Sequence, residues 1–528
     1  MLELKVIHAR LSGVSGVNQF SCHRRTWGQC IGYASVLMMT MGQPLAAQGG
    51  LPDLPPQESA PPLQEDDSEQ PTPSNVDVEA MGVEPDSPIT LTAEDVVTLL
   101  LQNNLELRNA ALARIAQRQA LQEAESIFTP DFTPTLRLGI AEGANGATEI
   151  TRAAELGGEV LTPLGTMLEV TVDVLDEQDL NLTVTQPLLR GAGRAVNTSS
   201  VKVARLRETN NQLDLQQQLI NNITQGIQTY HALIRAEANL RIQRLSFETQ
   251  QQQRRSTEAL VKAGRSARFE LVEIDANLAA TEANVLEAQN TLDQAKSNLL
   301  NVLDVPVFLD ITIAEQTLEG LRNIGQTSTE RSLEDLLVVA YGNRPDYQQA
   351  QRNVEIAALN GVVAADNRRW NLDLRANARA GDLSESSTEL VLTRVLDDES
   401  LATAFQQNQV EQQQLQNDLE RLRSDIRLEV ADQLRNVASA RNRIKVTRLA
   451  RELAEQQLEN ARERARRGRT RNIFEVLEFQ NDVVEAQNDE VGAAIDLADA
   501  IASLNQSLGT TLSVWSDQVD ASQLLSGP

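Results

Sequence analysis

The chain repeats itself, and the repeat constrains everything else it can fold into. "LTAEDVVTLLLQNNLELRNA" at 91–110 aligns with "RSLEDLLVVAYGNRPDYQQA" at 331–350, setting Glu94-Asp95 against Glu334-Asp335 and Asn103 against Asn343. Residues 262–304 likewise align with 466–509, setting Phe269-Glu270 against Phe474-Glu475 and Leu303 against Leu508. The offset between copies is larger at the front than at the back, so the first copy carries an insertion between its ends. This is a tandem duplication, and the fold must be built from two like units.

Each copy reads in the same order: helix, strands, very long helix, tip loop, long helix. In the first repeat (91–330) the spacing predicts long helices at about 198–261 and 269–303, and in the second (331–515) at about 402–466 and 473–508. Leu271, Leu278, Val285, Leu292 and Leu299 form one seven-residue row, with Ile274, Thr281, Ala288, Ala295 and Val302 three residues on. Val476, Val483, Leu497 and Leu504 repeat the pattern beside Phe479, Ala486, Ala493, Ala500 and Ser507; Leu206, Leu213, Ile220, Ile227 and Ile234 do so upstream. A seam of that period keeps facing its partner only if the helices supercoil left-handedly. The many Ala, Thr and Ser seam positions suit close approach of several helices.

Strands are few. They are expected around 134–142, at 156–175 with a bend at "TPLGT", and at 180–187 in the first copy. The second copy offers 370–380 and 386–394. In "TMLEVTVDVL", Leu168, Val170, Val172 and Val174 share one face and Glu169, Thr171 and Asp173 the other. A bilayer-spanning barrel strand alternates in this way, as does any half-buried strand. So few strands cannot close a barrel, and open edges are not tolerated in lipid. Strands from several identical chains would have to join.

The formal charge of -27 argues against nucleic acid as a partner. Aromatic content of 3% beside abundant Ala, Leu, Gln, Asn, Glu and Arg suits long helices packed side by side. Residues 1–47 read as a secretory signal peptide: Arg24-Arg25, an apolar core at 30–42, and "QPLAAQ" for cleavage near Ala47. Both cysteines, Cys22 and Cys30, lie inside it, so no disulfide framework is expected in the mature chain. Residues 48–90 are rich in Pro and acid and carry no Lys or Arg, the composition of a disordered spacer. A C-terminal tail is expected at 516–528.

Two stretches add a resemblance. "TQPLLRGAG" (185–193) and "GRTRNIFEVLEFQNDVVEAQ" (468–487) resemble the strand-to-helix joint and the periplasmic tip of the TolC family of bacterial outer-membrane export channels, and the resemblance spans about 91–515. It implies a mainly α chain with a membrane β-barrel: a trimeric α-helical barrel in the periplasm, capped by a shared twelve-stranded β-barrel to which each chain gives four strands. It places sheet-to-helix conversion at Pro187, Gly191 and Gly193, with Pro187 ending the hydrogen-bond ladder and the glycines letting the backbone swing. The joint of the second copy departs from this, with no Pro and with Asp397-Asp398 in place of glycines.

The same resemblance places Glu475 and Glu478 at an acidic ring around the pore constriction, where crowded carboxylates would attract cations. Acids in a first helical turn also complement its dipole, for about 0.3–1 kcal/mol each. Arg469 or Arg471 would hold the closed tip against Glu270, and Gly264 and Gly468 would form the tip turns offered to an adaptor. Solvated tip arginines, worth under about 1 kcal/mol per pair, are the plain alternative.

No catalytic motif, cofactor site or metal site is read in the sequence; His231, the one histidine beyond the presequence, is expected to be solvated or lumen-facing. The expected function is a passive exit duct of a tripartite efflux or type I secretion system: a homotrimer in outer-membrane lipid, opened by a periplasmic adaptor and an inner-membrane pump or ABC transporter. The alternative is a periplasmic coiled-coil scaffold without a pore, which has no use for strands at the matching point of each repeat.

Overall fold

The computed structural model describes residues 89–142, 148–175, 180–306, 310–314, 316–323, 331–380, 385–396, 399–466 and 473–518. The signal-peptide assignment and nearly all of the Pro/acid-rich segment lie outside them. Ile89 and Thr90, grouped with that segment on composition, instead open strand β1 (Ile89–Leu91).

The first copy continues with α1 (Ala93–Asn103), α2 (Leu105–Ser126), and strands β2 (Asp131–Glu142), β3 (Thr148–Leu161), β4 (Met167–Asp173) and β5 (Leu180–Pro187). A short α3 (Arg194–Asn197) leads into α4 (Ser199–Lys262), α5 (Arg268–Val302), β6 (Ile311–Ile313) and α6 (Gln316–Asn323). The second copy runs through α7 (Leu333–Asn343), α8 (Pro345–Asn367), β7 (Asn371–Ala380), β8 (Glu385–Thr393), α9 (Ser400–Arg466), α10 (Ile473–Ser507) and α11 (Thr511–Val514). At 64 and 67 residues, α4 and α9 are each about 100 Å long.

Local chemistry starts these helices. Thr92 caps α1 in a capping box with Asp95, and Ser332 accepts from the Asp335 N–H at the matching start of α7. Asn104 caps α2, and Pro345 occupies the first turn of α8. The heptad rows then decide which faces are covered. Leu213, Ile220, Ile227 and Ile234 of α4 are all buried, as are Ile274, Thr281, Ala288, Leu292 and Leu299 of α5. Leu271, Leu278 and Val285 of the neighbouring row are only half-buried.

The main core sits where the ends of the first copy meet the middle of α4. Val96, Val97 and Leu100 of α1 pack with Ile223, Ile227 and Tyr230, and the Tyr230 hydroxyl donates to the Leu91 carbonyl at 2.9 Å. Strand β1 pairs in parallel with β6, bringing the start of the first copy to its end. His231 is buried rather than solvated, its Nδ1 lying 2.6 Å from an Asp499 carboxylate oxygen of α10. One helical turn away, Asp496 accepts from Arg235 of α4 at 2.6 Å and Arg443 of α9 at 2.8 Å. These bonds tie the first copy to the second.

The remaining strands form one antiparallel sheet in the order β2-β3-β4-β5-β7-β8. Residues 156–175, read as one bent strand, are instead parts of β3 and β4 joined by a tight turn, in which Gly165 donates to the Thr162 carbonyl and Thr162 to that of Thr166. Strand β3 also begins earlier, at Thr148. The sheet therefore takes six strands from the chain, where the resemblance implies four. The surplus is in the first copy, which spends 131–187 on strands against 371–393 in the second, and this places the insertion detected from the offset. Among the described residues no helix is long and apolar enough to cross a membrane.

Candidate functional site

At the tip of the first copy, Gly264 adopts φ 70° just past α4. Its N–H reaches the Val261 carbonyl at 3.0 Å and the Arg265 N–H reaches that of Leu260 at 2.8 Å. These two bonds satisfy the carbonyls left over at the helix end, a Schellman turn that favours glycine. Below it, Arg254 of α4 bridges to Asp275 of α5 at 2.6 Å, and Lys262 to Glu258 at 2.7 Å. Both neighbouring charges hold the Glu258 carboxyl below its ordinary value, the Lys262 hydrogen bond first. Glu270, in the first turn of α5, accepts from the Ser266 hydroxyl.

The second tip is arranged differently. Gly468, Arg469 and Arg471 lie outside the described residues. Glu475, in the first turn of α10, is half-buried and 2.7 Å from Arg464 of α9. Glu478, three residues on, is exposed, while Val476 and Leu477 between them are buried, Val476 against Leu458 and Ala461 of α9. The two glutamates named from the sequence are thus unequal: one shares its charge with an arginine and the other faces solvent. Arg464 was not anticipated, because its pairing depends on how α9 is rotated against α10.

Deeper in that coil the heptad row of α10 is interrupted, since Glu490 stands where Val483 and Leu497 lead one to expect an apolar residue. It is buried, and its carboxylate meets Arg451 at 2.8 Å and Arg448 at 3.5 Å, both from α9. The gap in the row was the available signal.

The strand–helix joint is a knot of backbone contacts. Gly191 and Gly193 adopt φ 78° and 98°. The Asn197 amide donates to both of their carbonyls, at 2.8 and 2.9 Å, and the Gly191 N–H donates to the buried Asp366 carboxylate at 2.6 Å. The turn between β3 and β4 docks here too, with Gly193 donating to the Leu164 carbonyl at 3.0 Å. A Cβ on Gly165 would lie 2.3 Å from the Gly191 carbonyl oxygen, so the approach requires glycine.

Pro187 does not end the ladder as expected. Leu188 goes on donating to Leu372 of β7, and Arg190 to Trp370 just before that strand. Alternate residues of β5 face opposite neighbours, so the missing N–H of Pro187 points towards β4, whose pairing has already stopped at Thr185. The chain turns only at Gly191. At the corresponding place in the second copy, described up to Leu396, Arg394 lies over the Trp370 ring at 4.9 Å and Arg368 over Phe405 at 4.7 Å; Asp397 and Asp398 lie outside the described residues.

The sheet itself sorts its residues by face. Even-numbered positions of neighbouring strands stack into an apolar side, as in Leu156 beside Val172, Val172 beside Leu180, and Leu374 beside Leu390. Odd positions form a polar side, including Arg137, Glu155, Glu169, Thr183, Arg375 and Glu389.

These features, a two-faced sheet feeding paired helices of about 100 Å, have known counterparts. Residues 96–304 match the family model for outer membrane efflux proteins. The fold is shared with solved outer-membrane channels. CmeC of Campylobacter jejuni is 14% identical with a TM-score of 0.60, over 83% of this chain and 93% of that one. VceC of Vibrio cholerae is 16% identical with a TM-score of 0.60, over 79% and 96%. MtrE of Neisseria gonorrhoeae, in its open state, is 14% identical with a TM-score of 0.61, over 80% and 89%. No curated protein matches the sequence.

Proposed function

We propose that this chain is an outer membrane efflux protein, a passive exit duct through the outer membrane with its helical barrel reaching into the periplasm. The observation that carries the reading is the continuous sheet with one apolar and one polar side, joined at its base to helices of 64 and 67 residues. A periplasmic scaffold would gain nothing from an apolar sheet face, whereas a barrel wall needs lipid outside and water within.

Three copies would assemble around one axis, with the helices continuing the barrel as a hollow coil. A periplasmic adaptor would engage the tips at Gly264 and Gly468, and an inner-membrane pump or ABC transporter would supply the energy. Glu475 and Glu478 would ring the narrow end, with Glu478 carrying most of the unshielded charge because Arg464 already faces Glu475. Arg469 or Arg471 would hold the closed tip against Glu270 of a neighbouring coil, replacing the local bond to Ser266.

The test is to fractionate membranes and then record from the purified trimer in planar bilayers. An outer-membrane, detergent-requiring trimer with discrete conductance steps is the expected result. A correctly assembled sample that washes from membranes with salt and gives no conductance would overturn the reading in favour of the scaffold.

A further inference from the structure

We propose that three copies of this chain close an eighteen-stranded barrel, with β8 of each copy pairing with β2 of the next. This rests on the trimeric channel reading above and goes beyond it. The hairpin β2–β3 becomes part of the membrane wall rather than an appendage.

The argument begins at the sheet's two ends. Strands β2 and β8 are the terminal strands of the sheet, so each has one side without a partner among the described residues. Unpaired N–H and C=O groups cannot face lipid, and a strand of another chain satisfies them. Both edges also carry bare apolar side chains, with Leu138 and Ile140 of β2 71% and 77% exposed and Leu390 of β8 63% exposed. Every pairing in the sheet is antiparallel. With an even number of strands, β2 leaves the helical end and β8 returns to it. Joining β8 to β2 therefore extends the same antiparallel order around a closed ring, and the partner that fits is a second copy of this chain.

The hairpin belongs to the wall because its faces match the rest. Leu156 of β3 has Pro134 on one side and Val172 on the other, and Val160 faces Leu168. The apolar side thus runs unbroken from β2 to β5. On the polar side Arg137 of β2 reaches Glu155 of β3 at 3.9 Å. Strands β2 and β3, at 12 and 14 residues, are long enough to span. The charges on their apolar side, Glu142 and Arg152, both fall towards the ends of β2 and β3 far from the helices, Glu142 as the last residue of β2 and Arg152 exposed, where it can reach headgroups. Closure with only four strands per chain would need β4 to release β3, breaking the ladder from Glu155–Asp173 to Leu161–Met167.

The consequence is a wider mouth. Barrel diameter grows roughly in proportion to strand number at equal tilt, so eighteen strands enclose a lumen about half as wide again as twelve.

The mature chain is expected to lack cysteine, so paired substitutions give a clean readout. Glu389→Cys on β8 would be combined in turn with Thr133→Cys, Thr135→Cys or Arg137→Cys on β2, all on the polar face. A second set would combine Glu389→Cys with Glu169→Cys or Thr171→Cys on β4. Full-length protein in outer membranes is oxidised and run without reductant, beside a native mass measurement. A covalent trimer from at least one β2–β8 combination, with none from the β4–β8 set, is the expected result. Links from β4 to β8 would overturn the eighteen-stranded wall while keeping the trimeric channel. A conducting trimer that gives no link in either set would also overturn it. A monomer by native mass would remove the channel reading as well.

Discussion

Asp304 and Gly509 hold the same left-handed backbone at the ends of matching helices, at φ 53° and 69°. Each closes the last turn with the same pair of bonds: Asp304 to Asn301 with Val305 to Leu300, and Gly509 to Gln506 with Thr510 to Asn505. The duplication has kept the turn and changed the residue. Asp304 is strained there, but its carboxylate accepts from the Leu105 N–H at 2.8 Å, at the start of α2. Gly509 makes no such bond; a Cβ on it would meet the Asn343 carbonyl carbon at 2.8 Å.

Gly509→Ala is therefore expected to destabilise the fold by about 1–3 kcal/mol, from backbone strain and the contact with Asn343. Asp304→Gly should be close to neutral, since relief of strain offsets the lost bond. Asp304→Ala, which keeps the strain and loses the bond, should cost about 1–2 kcal/mol. Denaturant unfolding of the detergent-solubilised protein ranks the three. Equal effects of the two Asp304 variants would refute the account.

The ion pair of Arg114 and Glu208 joins α2 to α4 with the arginine side chain only 2% exposed. Removing Glu208 with alanine leaves a buried cation and should cost about 3 kcal/mol. The pair also sets a pH dependence. Hydrogen bonds from Arg114 are the largest effect on the Glu208 carboxyl, holding it below its ordinary value of 4.5 against the opposing effect of burial. A lowered folded value contributes stability that is complete above the unfolded one and is lost as pH falls through the folded one. Melting temperatures followed downward from neutral pH should thus fall below about pH 4.5 more steeply in the wild type than in Glu208→Gln. Parallel curves would exclude the pair as a source of acid sensitivity.

Much of this architecture is written in the sequence, and the parts that are not share a cause. The seven-residue rows identify α4, α5 and α10 because helix period and seam period nearly coincide, and Ile220, Ile227 and Ile234 need no tertiary knowledge to be placed inside. The hairpin of β3 and β4 was concealed because Thr162–Thr166 is a short turn between two apolar runs, and alternation continues on either side. Pro187 pointed to a break where the ladder continues, since only a strand's neighbours say which side of it needs a donor. Arg464 and Asp366 depend on the rotation of one helix against another element, which periodicity does not specify.

The buried Glu490 is expected to fix the register of α9 against α10, since its two arginines stand one turn apart on the facing helix. Val285 occupies the matching place in the first copy, so a valine is sterically suited to the seam. Glu490→Val should lower thermal stability only slightly, because well-packed apolar residues often replace buried ion pairs without loss. The loss of register should appear in spin-label or cysteine distances between α9 and α10, which would broaden in the variant. An unchanged, sharp distance distribution would reduce Glu490 to an ordinary ion pair.

The unequal glutamates of the second tip separate a pore ring from helix-end acids. If the tip lines the duct, Glu478 presents its charge to passing ions, whereas Glu475 presents a charge already matched by Arg464 at 2.7 Å. Glu478→Gln should therefore reduce cation preference strongly and Glu475→Gln weakly. Arg464→Gln, which exposes the Glu475 charge, should increase cation preference above the wild type. In that background Glu475→Gln should matter as much as Glu478→Gln does alone. Reversal potentials across a potassium chloride gradient measure each variant. The order is set by charge placement, so an arginine substitution that lowers cation preference would contradict it. Three unchanged potentials in a conducting trimer would leave both glutamates as partners of the helix dipole, worth about 0.3–1 kcal/mol each, and put the constriction elsewhere along the coil.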